Sequence, residues 1–230
     1  MLTHPAGHDL FEDLRARILS LEMPPGMALS RADLSARYGI SSTPLRDALL
    51  RLQDEGLVDI QPQSRTLVSL IDLDQARQIH VLRSAVEAEV AMRLAQDPPA
   101  GLGEELQHLI AAQQDEAQSG NMKGFARLDL AFHEALFRHA RLQAVHQVIR
   151  RESVHIDRLR ALHLMQQEKA RQILTDHRAI AAAIADRLPD AAGAQMRRHL
   201  SQSILLGPQL TSEMPAYFTK RSAGPEGSAP

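Results

Sequence analysis

The sequence predicts a mostly α-helical protein in two parts, a small N-terminal helical unit closed by a β-hairpin and a larger C-terminal antiparallel all-α bundle. Three observations predict it. Hydrophobic residues make up 44% of the 230 residues but aromatics only 3%, so Leu and Ala supply the apolar mass, as in packed helices rather than a strand-rich core. Apolar residues recur at three- and four-residue spacing along most of the chain. One stretch, LVDIQPQSRTLVSL, alternates apolar and polar residues instead.

In order along the chain, DLFEDLRARILSLEMPPG places Leu10, Leu14, Ile18 and Leu21 at helical spacing before Pro24, Pro25 and Gly26 break the helix. A second, short helix, RADLSARYG, follows Ser30 as N-cap and stops at Gly39. The third opens at Ser41 or Ser42, carries Pro44 in its first turn and Leu45, Leu49 and Leu52 on one face, and closes at Gly56. Two short helices across a Gly-containing turn match a helix-turn-helix, and the alternating Val58, Ile60 and Leu67 make the hairpin a wing. Residues 1–70 are therefore expected to form a winged helix-turn-helix, 71–76 a linker, and 77–210 a bundle of about six helices. Breaks are expected at DPPAGLG and SGN; NMKGFARLDLAFHEALFRHA and VHQVIRRESVHIDRLRALHLM each read as one helix, followed by EKARQILTDHRAIAAAIADRL and PDAAGAQMRRHLSQSILL. Residues 211–230 read as a tail whose end, KRSAGPEGSAP, is expected to be disordered.

The absence of cysteine excludes disulfides and thiolate chemistry, so any metal site must be built from carboxylates and the eleven His. No run approaches the roughly 20 apolar residues of a membrane span, and MLTHPAGHDL lacks the regions of a signal peptide, which makes a cytoplasmic location the expectation. The net charge is -2, and residues 1–70 hold seven Arg against nine Asp plus Glu. Bulk charge thus gives no support to DNA binding, and that case rests on pattern.

The pattern is specific. PPGMALSRADLSARYGISSTPLRDALLRLQDEGLVDIQPQSRTLV resembles the DNA-binding domain of the GntR family of transcriptional regulators. The resemblance implies that the recognition helix enters the major groove with its first residues, here Ser41, Ser42, Thr43 and Arg46, and that the wing touches the adjacent minor groove. Small hydroxyls let a helix end approach phosphates, and Arg can reach a guanine edge bidentately. Ser41 has a second reading, as a plain helix cap. Arg31 and Arg65 are expected to contact the DNA backbone, with solvated surface charge as the alternative. Ser42 stands where many members carry Arg, and SRT at 64–66 where RG and a small residue are common, so a different operator is expected. The helix-turn-helix also implies a homodimer, matching a palindromic site.

The second constellation lies in the bundle. Asp129 and His133 are four apart, about 40° around a helix, on a face shared with Phe125, Phe132 and Leu136. His177 falls in register with Ile173, Ile180 and Ile184, and His199 sits at the edge of the stripe Met196, Leu200, Ile204. Singly, each His reads as a hydrogen-bonded core residue. Together, four metal-capable groups on three helices can converge on one core.

LRSAVEAEVAMRLA, LDLAFHEALF, DHRAIAAAI and AAGAQMRRHL resemble the FCD domain, the helical ligand-binding domain of the FadR branch of that family. In its metal-binding members the resemblance implies a divalent ion held by Asp129, His133, His177 and His199, with Zn the first expectation and Ni or Mn the others. It also places Arg83 at the effector cavity with Glu87 beside it; an intrahelical ion pair is the other reading. The other His residues read as surface or structural.

Three functions compete, the third being purely architectural DNA binding without an effector. The first is a DNA-binding regulator, a repressor, switched by a small organic acid at or beside the metal. The second is a metalloenzyme with a His-rich bundle. HEALFRH has its His residues six apart, on different faces, which deprives Glu134 of the paired-His site a catalytic base would serve, so no enzymatic activity is expected.

Overall fold

A computed structural model describes residues 7–61, 65–164 and 167–220. Helix α1 (Gly7–Leu19) is followed by strand β1 (Ala28–Leu29), α2 (Arg31–Tyr38), α3 (Ser42–Asp54), β2 (Val58–Ile60) and β3 (Thr66–Val68). The strands pair antiparallel in the order β1-β3-β2, with Leu29 opposite Thr66 and Val58 opposite Val68. Leu10, Leu14 and Ile18 of α1 pack on Leu45, Leu49 and Leu52 of α3, each almost fully buried. Leu21, expected to extend α1, instead lies beyond it with φ 62°, where the chain turns toward Pro24.

Ser30 caps α2 as expected, its hydroxyl accepting from the Asp33 amide at 3.2 Å. Gly39 ends α2 at φ 62°, a left-handed conformation that costs glycine nothing and lets the chain turn directly into α3. Ser41 occupies the N-cap position of α3 but makes no side-chain cap bond, which removes the simple capping role expected for its hydroxyl. The hairpin is present, and β1 is a third strand the sequence pattern did not suggest, two residues being too short for alternation to show. Residues 62–64 of the wing tip, including Ser64, lie outside the described residues.

Helix α4 (Leu73–Gln96) begins earlier than the expected linker 71–76 allows, because Asp72 caps it: its Oδ1 accepts from the Asp74 and Gln75 amides at 2.9 and 3.0 Å. Then come α5 (Leu102–Gln118), α6 (Met122–His139), α7 (Gln143–Glu152), α8 (Val154–Leu164), α9 (Gln167–Ala185), α10 (Pro189–Leu205) and α11 (Gly207–Glu213). Among the described residues the bundle thus has eight helices rather than about six. The expected single helix over 145–165 is two, since Ser153 is not helical and turns its hydroxyl back to the Ile149 carbonyl at 2.6 Å. The tail is ordered further than expected: Pro215–Tyr217 forms a 3-10 turn, and Ile71 exchanges backbone bonds with Tyr217 and Thr219 at 2.8 and 3.0 Å. The end of the tail, 221–230, lies outside the described residues. No helix among the described residues is long and apolar enough to cross a membrane.

Helix α8 joins the two parts. Val154 completes the hydrophobic core of the N-terminal unit. Arg158, with none of its surface exposed, donates to the Ser69 carbonyl at 2.7 Å, at the exit of β3. His155 Nδ1 accepts from the Asp72 amide at 3.0 Å and faces the Arg158 guanidinium, also at 3.0 Å. Burial, reinforced by that guanidinium, lowers the His155 pKa to about 4 and keeps the ring neutral.

Candidate metal centre and DNA-facing surface

Helix α6 carries Asp129 and His133 one turn apart, α9 carries His177 and α10 carries His199. All four are buried, and one donor atom from each lies within 4.8 Å of the others. The apolar neighbours in each helix explain the convergence: Phe125, Phe132 and Leu136, then Ile173, Ile180 and Ile184, and Met196 and Leu200 turn these faces inward. Phe132 stacks flat on the His177 ring, with centroids 3.8 Å apart.

The outer side of each imidazole determines what its inner side presents. His133 Nδ1 lies 2.6 Å from Glu87 Oε2, and Glu87 Oε1 accepts from Arg83 Nε at 2.7 Å. His177 Nδ1 lies 2.9 Å from Gln113 Oε1, whose amide nitrogen donates to the Phe125 carbonyl at 3.4 Å and so turns the oxygen toward the ring. His199 Nδ1 faces Asp176 Oδ2 at 3.6 Å. The Gln113 acceptor places the His177 proton on Nδ1 and leaves its Nε2 as a lone pair, whereas Nδ1 of His199, 3.6 Å from its carboxylate, has no hydrogen bond. Burial and the neighbouring His residues hold His177 and His199 well below the usual range, so both are neutral. The guanidinium of Arg83 and the imidazole of His133 together outweigh the burial of Glu87 and hold its carboxyl far below the usual carboxylate range.

His133 Nε2 and His199 Nε2 face each other at 3.2 Å. His177 Nε2 lies 3.5 Å from Asp129 Oδ1, and both atoms are buried without a hydrogen bond. Polar atoms left without partners in a dry core are costly unless a cation sits among them. The donor set, three imidazoles and one carboxylate with oriented outer partners, suits a divalent ion.

Asp129 also pairs with Arg160 of α8. The two Arg residues offset Glu87 and Asp129, so the charge of a bound divalent ion would be left over, which favours an anion alongside it. A small cavity of about 20 Å³ adjoins His199, with Arg83, Arg160, Lys169 and Ser203 in its wall. Burial lowers the Lys169 pKa to about 8. Arg83 and Glu87 form the intrahelical ion pair that was one of the two readings from the sequence, and Arg83 also lines this small cavity. Gln113, Asp176 and Arg160 escaped the sequence reading; a polar residue among polar residues on α5 carries no periodicity signal.

On the N-terminal unit, Arg31, Ser41, Ser42, Thr43, Arg46 and Arg65 are all exposed. Leu45, Ala48, Leu49 and Leu52 turn the opposite side of α3 into the core, so Arg46 and the first turn face outward on one surface. Glu134 is exposed, whereas Asp129, His133, His177 and His199 are buried.

Residues 7–68 match the model of the gntR family of bacterial regulatory proteins, and residues 78–202 match the FCD domain. The chain belongs to the GntR family, in its FCD-containing branch. This GntR regulator is 33% identical to an HTH-type transcriptional regulator encoded in an unstable DNA locus of Streptomyces ambofaciens, over 84% of this chain and 80% of that protein. It is 27% identical to the HTH-type transcriptional repressor RspR of Escherichia coli K12, over 95% of this chain and 96% of that protein. In fold it resembles E. coli McbR/YncC, with a TM-score of 0.76 at 19% identity, covering 91% of this chain and 99% of that one. GntR regulators bind operator DNA, and the relatives and fold are those of transcriptional regulators.

Proposed function

We propose that this GntR regulator is a repressor that binds its operator as a homodimer and is released or retained by a small organic acid bound beside a divalent ion. Asp129, His133, His177 and His199 hold the ion, with Zn first and Ni or Mn as alternatives. The observation that carries this reading is the convergence of one donor atom from each of these four buried residues to within 4.8 Å, with His177 Nε2 and Asp129 Oδ1 left without a hydrogen-bond partner. An ion held there would supply Lewis acidity toward the effector carboxylate, and Arg83 and Arg160 supply positive charge beside it.

Operator contact is assigned to Ser41, Ser42, Thr43 and Arg46 at the start of the recognition helix, with Arg31 and Arg65 on the DNA backbone. The chain up to about residue 70 is assigned to DNA binding and the helices from Leu73 onward to the effector domain. The repressor role is supported by the likeness to RspR, which bears that designation. The enzyme alternative has no support.

Elemental analysis of protein purified without chelator tests the reading, followed by thermal-shift titration of organic acids with and without metal. Near one equivalent of metal is expected, with acids raising the melting temperature only in the loaded protein. Metal well below one equivalent, with no uptake of added Zn, Ni or Mn, would overturn it.

A further inference from the structure

A cleft of about 530 Å³ lies between α1 of the DNA-binding unit and helices α6 and α8 of the bundle, within the size range of small-molecule sites. Its wall reaches Asp129 and Arg160, the carboxylate of the candidate centre and the guanidinium paired with it. Each helix contributes an apolar pair on one face: Ala16 and Leu19, Ala126 and Leu130, Ala161 and Leu164. The charged groups of the rim are largely engaged with one another. Glu22 accepts from Arg17 at 2.8 Å and from Lys123 at 3.1 Å across the domain junction, and Arg150 pairs with Asp157 at 2.8 Å. What remains for a ligand is a set of apolar stripes ending at a part-buried cation, Arg160, and the buried Asp129 carboxylate.

We propose that the effector is an organic acid with an extended apolar body, its carboxylate at Arg160 and the centre and its body lying in this cleft against α1. The proposal rests on the reading of the buried centre as the effector site and adds to it the ligand's class and its route to the DNA. Helix α1 is the direct support of the recognition helix, with the Arg51 guanidinium of α3 lying 3.7 Å from the Phe11 ring of α1. A ligand body in the cleft therefore bears on the DNA-binding unit itself, with the Glu22–Lys123 pair at its edge. Differential contact of this kind is what a ligand needs to shift a two-state equilibrium.

The test is calorimetric titration of the full-length, metal-loaded protein with sodium acetate, hexanoate and 4-phenylbutyrate. Affinity should rise at least about tenfold from acetate to 4-phenylbutyrate, the scale set by burying a few apolar groups. Ala16→Trp, at an exposed position of α1, should abolish that gain while leaving acetate binding, metal content and acid-free operator binding unchanged. Equal affinity for the three acids, or a gain that survives Ala16→Trp, would overturn the cleft as the site while leaving the metal-centre reading intact. Failure of every acid to bind loaded protein would overturn both.

Discussion

Glu87 and His133 meet at 2.6 Å in the core of the bundle, and the contact faces the ring nitrogen that points away from the other three candidate ligands. Glu87 is thus placed to support the candidate centre from outside its four candidate ligands. Glu87→Gln should weaken metal affinity about 10- to 100-fold, measured by competition with a chelating dye, because the ring loses its charged acceptor and its orientation. Stability should fall too, since Arg83 is left buried without its ion pair. Unchanged affinity would remove Glu87 from the centre's support.

Arg46 should carry sequence discrimination. Arg46→Ala is expected to cost about 1–3 kcal/mol of specific operator binding at matched salt, with folding and metal content unaffected, since its side chain is exposed beside the α3 core face. A binding assay against specific and scrambled duplexes separates this from a general loss of phosphate contact.

Acid should destabilise the protein from an identifiable set of groups. His155 sits near 4 in the folded state against an ordinary 6.5, and His177 and His199 are also depressed. Between those values the unfolded chain binds protons that the native protein excludes, so stability rises with pH across the window and is lost as pH falls from about 6.5 toward 4. The melting temperature should drop steadily over that range, with metal release accompanying it as protons compete for the imidazoles. A flat profile would contradict the neutral burial of these rings.

Sedimentation at micromolar concentration should give a mass near twice 25.4 kDa, as a two-fold protein reading a palindrome requires. A monomer that still binds its operator tightly would sink the dimer.

Much of the candidate centre was legible because core spacing and metal chemistry coincide at the same positions. Asp129 and His133 share one face of α6 with Phe132, and His177 replaces an aliphatic residue in the α9 stripe, so polar groups stood out against an apolar register. Gln113 and Asp176 did not stand out, because an outer partner is selected by three-dimensional proximity and α5 and α9 carry many polar residues. The helix-turn-helix was legible from Gly39 and the Leu45, Leu49, Leu52 stripe, whereas β1 exists only through its pairing with β3. The division at Ser153 was hidden for a similar reason: no Gly or Pro marks it, and a serine hydroxyl turned onto Ile149 is a local choice that periodicity does not record.

Along α8, Val154, Arg158 and Arg160 fall within seven positions, yet they serve the core of one domain, the seam, and the centre of the other. The boundary that the two family matches draw near residue 70 is therefore not a place where the molecule can be cut cleanly. A DNA-binding head grafted from this regulator onto a foreign effector module would lack a methyl-bearing side chain from its interior and the anchor beneath its wing. Such hybrids should work only when the recipient's counterpart of α8 is exchanged along with the head.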